Sequence, residues 1–206
     1  MLERPGLYIH YPWCVKKCPY CDFNSHLSGA IDHEAWRLSL LAELDHYGNI
    51  TRGRRLETVF FGGGTPSLMP PKTTAAVIES LGKYWNVDTD IEITIEANPS
   101  SVEAQKFADF RSAGVNRVSL GIQSFRDRDL AFLGRAHTGK DGRRAIAIAK
   151  EHFDRVSFDL IYALPDESVQ SWSKQLKHAL TYDTGHLSLY QLTIEKGTPF
   201  FAEHKR

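Results

Sequence analysis

The chain has 206 residues, of which 42% are hydrophobic and 24% charged, so it is long enough to bury one sizeable core. Its 25 basic and 25 acidic side chains give a formal net charge of zero, which argues against a protein built to coat nucleic acid or anionic lipid. Residues 1–6 lack a signal-peptide pattern and no apolar run approaches the roughly 20 residues of a membrane span, so we expect a cytoplasmic protein without direct membrane insertion.

Strand-like segments alternate with helix-like segments along the whole chain. The predicted strands cover residues 7–11, 58–61, 91–97, 115–120, 156–162 and 187–194. Apolar runs such as Val59-Phe60-Phe61 are typical of strands that are covered on both faces. The alternation predicts parallel strands joined by helical crossovers, in either a doubly wound sheet or a barrel.

The predicted helices fill the intervals between these strands. Asp32 is expected to cap a helix whose apolar positions are Trp36, Leu40, Leu44 and Tyr47. Further helices are expected from Pro70 and Pro71 to about residue 84, over about 126–134, and over 141–152.

Two more helix starts follow from capping residues. Ser100 and Glu103 form the pattern of a capping box for a helix that ends near Gly114. Asp166 is expected to cap a helix that presents Val169, Trp172, Leu176 and Leu180 on one face. No helix is expected after the sixth strand.

The cysteines are Cys14, Cys18 and Cys21, an odd and tightly spaced set that is a poor disulfide framework. Thiolates this close together usually hold a metal. A zinc site would need a fourth ligand, and the spacing from Cys18 and Cys21 to His26 resembles part of a zinc knuckle. An iron–sulfur cluster on three thiolates would leave one iron open for chemistry.

The remaining unusual residues follow the predicted strands. The cysteine loop follows the first strand, Gly62-Gly63-Gly64 follows the second, and Glu96, Gln123 and Asp159 lie at or near the ends of the next three. In a barrel of parallel strands the active site lies at the carboxyl ends of the strands. This clustering favours a barrel with one catalytic mouth over a doubly wound sheet.

The cysteine loop and five later motifs together resemble the radical S-adenosylmethionine (SAM) superfamily. The motifs are Cys14-x3-Cys18-x2-Cys21 with Tyr20 before the third cysteine, Phe60 to Ser67, Glu96 to Pro99, Gly121 to Phe125, Leu133 to His137 and Asp159 to Pro165. Within the superfamily they resemble the group of oxygen-independent coproporphyrinogen III oxidase and related haem chaperones. The resemblance implies an α/β fold, a three-quarter TIM-type (β/α)6 barrel.

The resemblance also implies the cofactors and their ligands. A [4Fe-4S] cluster is expected on Cys14, Cys18 and Cys21, with SAM on the open iron. The residues implied to contact SAM or to shield the cluster are Tyr8, Tyr20, Gly63, Gly64, Thr65, Glu96, Gln123, Arg135 and Asp159. No catalytic residue is assigned, and none of the histidines His10, His26 and His137 is assigned as a haem ligand.

One departure from the oxidase pattern directs the choice of function. The oxidase carries a further cysteine two residues after the third, where this chain has Phe23. We therefore expect a haem chaperone, which binds haem, delivers it to respiratory proteins and needs an electron donor. The alternatives are the oxidase reaction on porphyrinogen propionates and a non-catalytic zinc module. Because the group also carries a C-terminal domain, residues 1–206 are expected to be a truncated chain with the radical SAM core only.

Overall fold

The computed structural model describes residues 4–27, 29–100 and 104–204. Its strands are β1 (Gly6–Tyr11), β2 (Trp13–Cys14), β3 (His26–Leu27), β4 (Arg55–Gly63), β5 (Asn86–Ala97), β6 (Arg117–Gln123), β7 (Arg155–Tyr162) and β8 (Gly185–Gln191). Its α-helices are α1 (His33–Ile50), α2 (Pro71–Ser80), α3 (Phe107–Ser112), α4 (Asp127–Phe132), α5 (Gly139–His152), α6 (Val169–Leu180) and α7 (Pro199–His204). Short 3-10 turns cover Pro66–Leu68 and Leu81–Lys83.

The main sheet confirms the α/β prediction. Six strands pair in the order β1-β4-β5-β6-β7-β8, and every pair is parallel. Strand order follows chain order without the reversal that marks a doubly wound sheet. The sheet is therefore a partial (β/α)6 barrel, with β1 and β8 as its edges among the described residues.

Alternation along each strand separates an apolar face from a polar one. Val59, Phe61, Ile93 and Ile95 are at most 4% exposed and belong to the main core. Thr94, which follows Ile93 on the opposite face, accepts a hydrogen bond from Arg117 Nη1 at 3.2 Å. The helix-covered face is thus apolar, and the inner face carries polar side chains that bridge neighbouring strands.

The predicted start of α1 is confirmed. The Asp32 carboxylate accepts from the backbone N–H groups of Glu34 and Ala35, so it caps α1 as expected. Leu40 and Leu44 are buried, but Tyr47 is 55% exposed. The third buried position of α1 is Gly48, since a Cβ there would meet the Tyr84 ring at 2.4 Å.

The prediction that Asp166 caps the helix after β7, which is α6, was wrong. Asp166 has φ of +59°, whereas a capping residue has an extended backbone. Ser168 takes the position instead, and its hydroxyl accepts from the Ser171 N–H at 3.1 Å. Of the predicted apolar face, Val169 and Leu180 are 80% and 61% exposed, so α6 is buried mainly through residues 175 and 179.

Two other helix predictions, the capping box before Gly114 and the absence of a helix after the sixth strand, had different outcomes. Glu103 of the expected capping box lies outside the described residues; the α-helix that ends near Gly114 is α3. The short helix α7 follows β8, although none was expected there. The Phe200 N–H of α7 donates to the Pro19 carbonyl at 3.1 Å, and its ring lies 5.0 Å from that of Phe132, so α7 packs on the cysteine loop. None of the described helices is long and apolar enough to cross a bilayer.

The first turn of α5 approaches the loop after β6 too closely for any side chain. A Cβ at Gly139 would lie 2.2 Å from the Phe125 carbonyl oxygen, whereas a Cβ at Gly142 would meet only the Ile122 side chain at 3.4 Å. We predict that Gly139→Ala lowers the free energy of unfolding by about 2–3 kcal/mol, because the backbone must shift. Gly142→Ala, the matched control in the same helix, should change it by less than about 1 kcal/mol.

Denaturant unfolding of the metal-free chain measures both substitutions. Equal stabilities of the Gly139→Ala and Gly142→Ala chains would contradict the close contact between α5 and the loop after β6.

Candidate functional site

A cavity of about 590 Å³ opens at the carboxyl ends of the sheet strands. This volume is within the range of small-molecule sites. Its lining includes Cys14, Cys18, Cys21, Tyr20, Gly63, Gly64, Thr65, Glu96, Gln123, Arg135 and Asp159. The structure thus brings together every predicted site residue except Tyr8.

The cysteine loop forms one wall of this cavity. Cys14 ends the short strand β2, which pairs with β3 through Trp13–His26 and Cys14–Leu27. All three thiols are free and partly buried, and burial raises the pKa of Cys21. The loop therefore presents three unpaired sulfur ligands to one space.

The spacing of the thiols bears on the kind of metal. Within residues 4–27, 29–100 and 104–204, no three side chains of Cys, His, Asp or Glu are grouped closely enough to hold one ion. His26, the extra ligand in the zinc interpretation, has its Nε2 atom 3.1 Å from Asn24 Oδ1 instead. Ligands of a four-iron cluster bind separate irons, so they need not converge on one point.

The glycines after β4 pack directly against the cysteine loop. Gly63 has φ of +118°, and a Cβ there would lie 2.8 Å from the Tyr11 carbonyl oxygen. A Cβ at Gly64 would lie 2.7 Å from the Trp13 carbonyl oxygen. Only glycine allows this approach, which brings the Gly63 N–H to Glu96 Oε2 at 3.2 Å.

Two partly buried carboxyl groups, those of Glu96 and Asp159, face the cavity. Burial, together with the charge of Asp159, raises the pKa of Glu96 to about 7, although the Gly63 N–H opposes this shift. Burial also raises the pKa of Asp159 to about 6, against the opposing effects of Ser188, Arg117 and Arg135. Both groups would be stabilised as anions by a bound cation.

Hydrogen bonds connect two of the thiols to residues in loops from other parts of the chain. Thr65 Oγ1 lies 3.6 Å from Cys14 Sγ, and Arg135 Nη1 lies 3.4 Å from Cys18 Sγ. Asn98 joins Thr65 and Arg135, with distances of 3.1 and 2.6 Å. Asn98 was not among the predicted site residues; its position within the Glu96–Pro99 motif was the available signal.

Three buried polar atoms of cavity-lining residues lack partners among the described residues. They are Gln123 Oε1, an acceptor, Arg135 Nε, a donor, and the Ser25 hydroxyl oxygen. Gln123 also has φ of +66°, a conformation that is costly for a residue other than glycine. Unpaired buried atoms and a strained backbone at one cavity are what a site for a polar ligand would show.

The structure places the other candidates outside the cavity or in hydrogen bonds. Tyr8 does not line the cavity; it is 56% exposed and stacks on Phe60 with ring centroids 6.1 Å apart. His10 Nε2 lies 2.9 Å from the Asn24 carbonyl oxygen. His137 does line the cavity, where its Nε2 atom faces the Ile122 carbonyl at 3.0 Å and burial lowers its pKa to about 4.

Comparisons with known proteins agree with this geometry. A profile of the radical SAM superfamily matches residues 8–178. The heme chaperone HemW of Escherichia coli is 44% identical over 97% of this chain and 54% of its own length. The mitochondrial radical S-adenosyl methionine domain-containing protein 1 of Bos taurus is 43% identical over 98% of this chain and 46% of its own length.

Solved structures give the same relationship. Coproporphyrinogen III oxidase (HemN) from Escherichia coli, a radical SAM enzyme, superposes with a TM-score of 0.81 at 27% identity. That match covers 98% of this chain and 47% of the oxidase. This chain spans about half the length of the curated relatives that it matches. The chain belongs to the radical SAM superfamily.

Proposed function

We propose that this chain carries the cluster-binding and SAM-binding sites of a haem chaperone. Membership of the radical SAM superfamily implies a [4Fe-4S] cluster and SAM. The observation that carries the chaperone proposal is the 44% identity to a heme chaperone over 97% of the chain. Phe23, where the oxidase pattern has a cysteine, supports the same choice. In this proposal haem is cargo, passed to haem-accepting respiratory proteins.

The residues of the cavity fit these cofactors. Cys14, Cys18 and Cys21 would hold the cluster, and a reduced cluster would supply an electron to the sulfonium of bound SAM. Glu96 and Asp159, the two acidic groups of the cavity whose pKa is raised by burial, would stabilise the positive charges of SAM.

Other side chains orient the ligand and exclude water. Gln123 Oε1 provides an acceptor, and Arg135 Nε a donor, that have no partner among the described residues. Tyr20 lies against the thiols, where burial raises its pKa and Arg135 opposes the shift. An aromatic ring at this place would limit the access of water to the cluster.

The second candidate function is the oxidase reaction, oxidative decarboxylation of porphyrinogen propionates. The structural similarity to coproporphyrinogen III oxidase, with a TM-score of 0.81, favours it. Haem and coproporphyrinogen are both tetrapyrroles, so binding of a tetrapyrrole alone would not separate the two functions. The cytoplasmic location stays a prediction, because the Bos taurus relative is mitochondrial by name.

The first prediction here concerns the metal. Chain purified without oxygen should be brown and contain iron and inorganic sulfide in equal amounts, and each of Cys14→Ser, Cys18→Ser and Cys21→Ser should lose most of both. The chain has no other cysteine, so no thiol can replace the missing ligand. Elemental and sulfide analysis measures this outcome; one zinc without sulfide would contradict it and support the zinc module.

The second prediction separates the chaperone from the oxidase. The chain loaded with cluster and SAM should bind haem and leave coproporphyrinogen unchanged. Haem titration followed by absorbance, beside a turnover assay with the Escherichia coli oxidase as a positive control, measures both properties. Turnover without haem binding would overturn the chaperone proposal in favour of the oxidase.

The third prediction concerns pH. The pKa of Glu96 is about 7 and that of Asp159 about 6, so each carboxyl becomes protonated as the pH falls below its pKa. A bound cation favours the ionised forms. SAM affinity should therefore fall as pH is lowered from about 8 to 5.5, by up to about tenfold per pH unit for each carboxyl below its pKa. Anaerobic calorimetry at several pH values would measure the change in affinity.

Matched variants test which carboxyl is responsible for this pH dependence. Glu96→Gln should weaken SAM binding at pH 8 and flatten the profile. Glu57→Gln, which removes a half-exposed carboxylate paired with Arg4, should leave the profile as it is. A Glu96→Gln chain whose profile matches that of the unmodified chain would contradict the assignment.

A further inference from the structure

We propose that Asn98 is a positioning residue that directs hydrogen bonds onto two of the three cluster thiolates. The proposal rests on the cluster part of the proposed function, and it does not depend on haem. It starts from a continuous set of contacts that runs from Cys14 through Thr65, Asn98 and Arg135 to Cys18. These residues belong to four different segments of the chain.

The orientation of the Asn98 amide is fixed by its charged neighbour. Arg135 Nη2 lies 2.6 Å from Asn98 Oδ1 and 2.8 Å from the Gly121 carbonyl oxygen. A guanidinium has only donors, so the amide atom that faces it must be the oxygen. The amide nitrogen therefore points the other way, towards Thr65.

The orientation of the amide then decides the direction of the next hydrogen bond. Asn98 Nδ2 lies 3.1 Å from Thr65 Oγ1, and an amide nitrogen can only donate, so the threonine hydroxyl accepts. The single proton of that hydroxyl is left for another acceptor. Cys14 Sγ lies 3.6 Å away, within hydrogen-bonding distance for sulfur.

Arg135 completes the same arrangement on the other side. Its second terminal nitrogen, Nη1, lies 3.4 Å from Cys18 Sγ, and the Asn98 and Gly121 oxygens hold the guanidinium in that position. Thr65 is 4% exposed, so water competes little for its hydroxyl. Asn98 thus orients the donor to Cys14 and helps to hold Arg135 against Cys18, where the Tyr20 side chain hydrogen-bonds to both Cys18 and Arg135.

These hydrogen bonds would act on the redox potential of the cluster. A donor on a thiolate withdraws charge from the sulfur and favours the reduced cluster, which carries one more negative charge. The hydroxyl of Thr65 therefore raises the potential, and Asn98 sustains this effect by keeping the hydroxyl proton on the sulfur.

The test compares substitutions that remove or redirect the hydroxyl proton. Thr65→Val deletes it. Asn98→Asp keeps an acceptor for Arg135 but turns the donor towards Thr65 into an acceptor, so the hydroxyl proton moves from Cys14 to the new carboxylate. Thr65→Ser keeps the hydroxyl, and Thr73→Val removes a buried hydroxyl with no partner in the described part of the chain.

The experiment is a redox titration of the reconstituted chain without SAM or haem, followed by electron paramagnetic resonance. Thr65→Val should lower the ratio of reduced to oxidised cluster about fivefold at a fixed potential, the effect of one hydrogen bond. Thr65→Ser and Thr73→Val should match the unmodified chain. Pulsed measurements in D2O should detect an exchangeable deuteron near the cluster that is lost in both Thr65→Val and Asn98→Asp.

A double substitution separates the hydrogen-bond effect from the added charge. Asn98→Asp should lower the ratio more in the chain that keeps Thr65 than in the Thr65→Val background, where only the charge of the new carboxylate acts. Equal effects in both backgrounds, with iron and sulfide content retained, would overturn the role of Asn98. Failure of the unmodified chain to hold any cluster would overturn the proposed function as well.

Discussion

Hydrogen bonds across the polar inner face of the partial barrel keep its strands aligned. Each strand buries one apolar face beneath helices, so its polar side chains must satisfy one another inside. Arg117 donates to Thr94 and Ser157 on the neighbouring strands, at 3.2 and 2.8 Å. Ser157 in turn donates to Ser119 at 3.0 Å. These bonds hold strands β5, β6 and β7 in register below the cavity.

The pairing of acidic side chains on this inner face differs between the two ends of the strands. Near the bottom, Glu92 is paired with Arg155 at 3.2 Å and lies 3.9 Å from Arg117. At the top, Glu96 and Asp159 are buried close enough together that the charge of Asp159 raises the pKa of Glu96. The carboxylate at the bottom of the barrel is therefore paired with arginines, whereas repulsion between Asp159 and Glu96 remains at the mouth, although Arg117 and Arg135 offset part of the shift of Asp159. Partly buried carboxyl groups with raised pKa values in a cavity are typical of a ligand site.

Much of the fold could be predicted from the sequence because its signals are local. The six sheet strands were each identified within a few residues, and the Asp32 cap depended only on the residues next to it. Asp166 misled the prediction because its suitability as a cap was judged by residue type, while its backbone is left-handed. The docking of α7 on the cysteine loop joins residues about 180 positions apart, which no local pattern reveals.

The site was predictable in its residue types and less so in its contacts. The cysteine spacing and the order of the motifs led to eleven of the residues that line the cavity. Tyr8, named from the same motifs, stacks on Phe60 and does not line the cavity, so its contact with SAM stays a prediction. The sequence did not predict a role for Asn98, because that role arises from two partners, Thr65 and Arg135, that are 33 and 37 residues away in sequence. Such a role follows only from three-dimensional distances.

The proposed function requires that three thiolates hold a four-iron cluster and leave one iron open to SAM. Mössbauer spectroscopy of 57Fe-reconstituted chain, before and after addition of SAM, distinguishes the iron sites. We expect one iron site out of four to change its isomer shift when SAM is added, while the other three keep theirs. Four equivalent iron sites whose spectrum is the same with and without SAM would show that no iron is open to SAM.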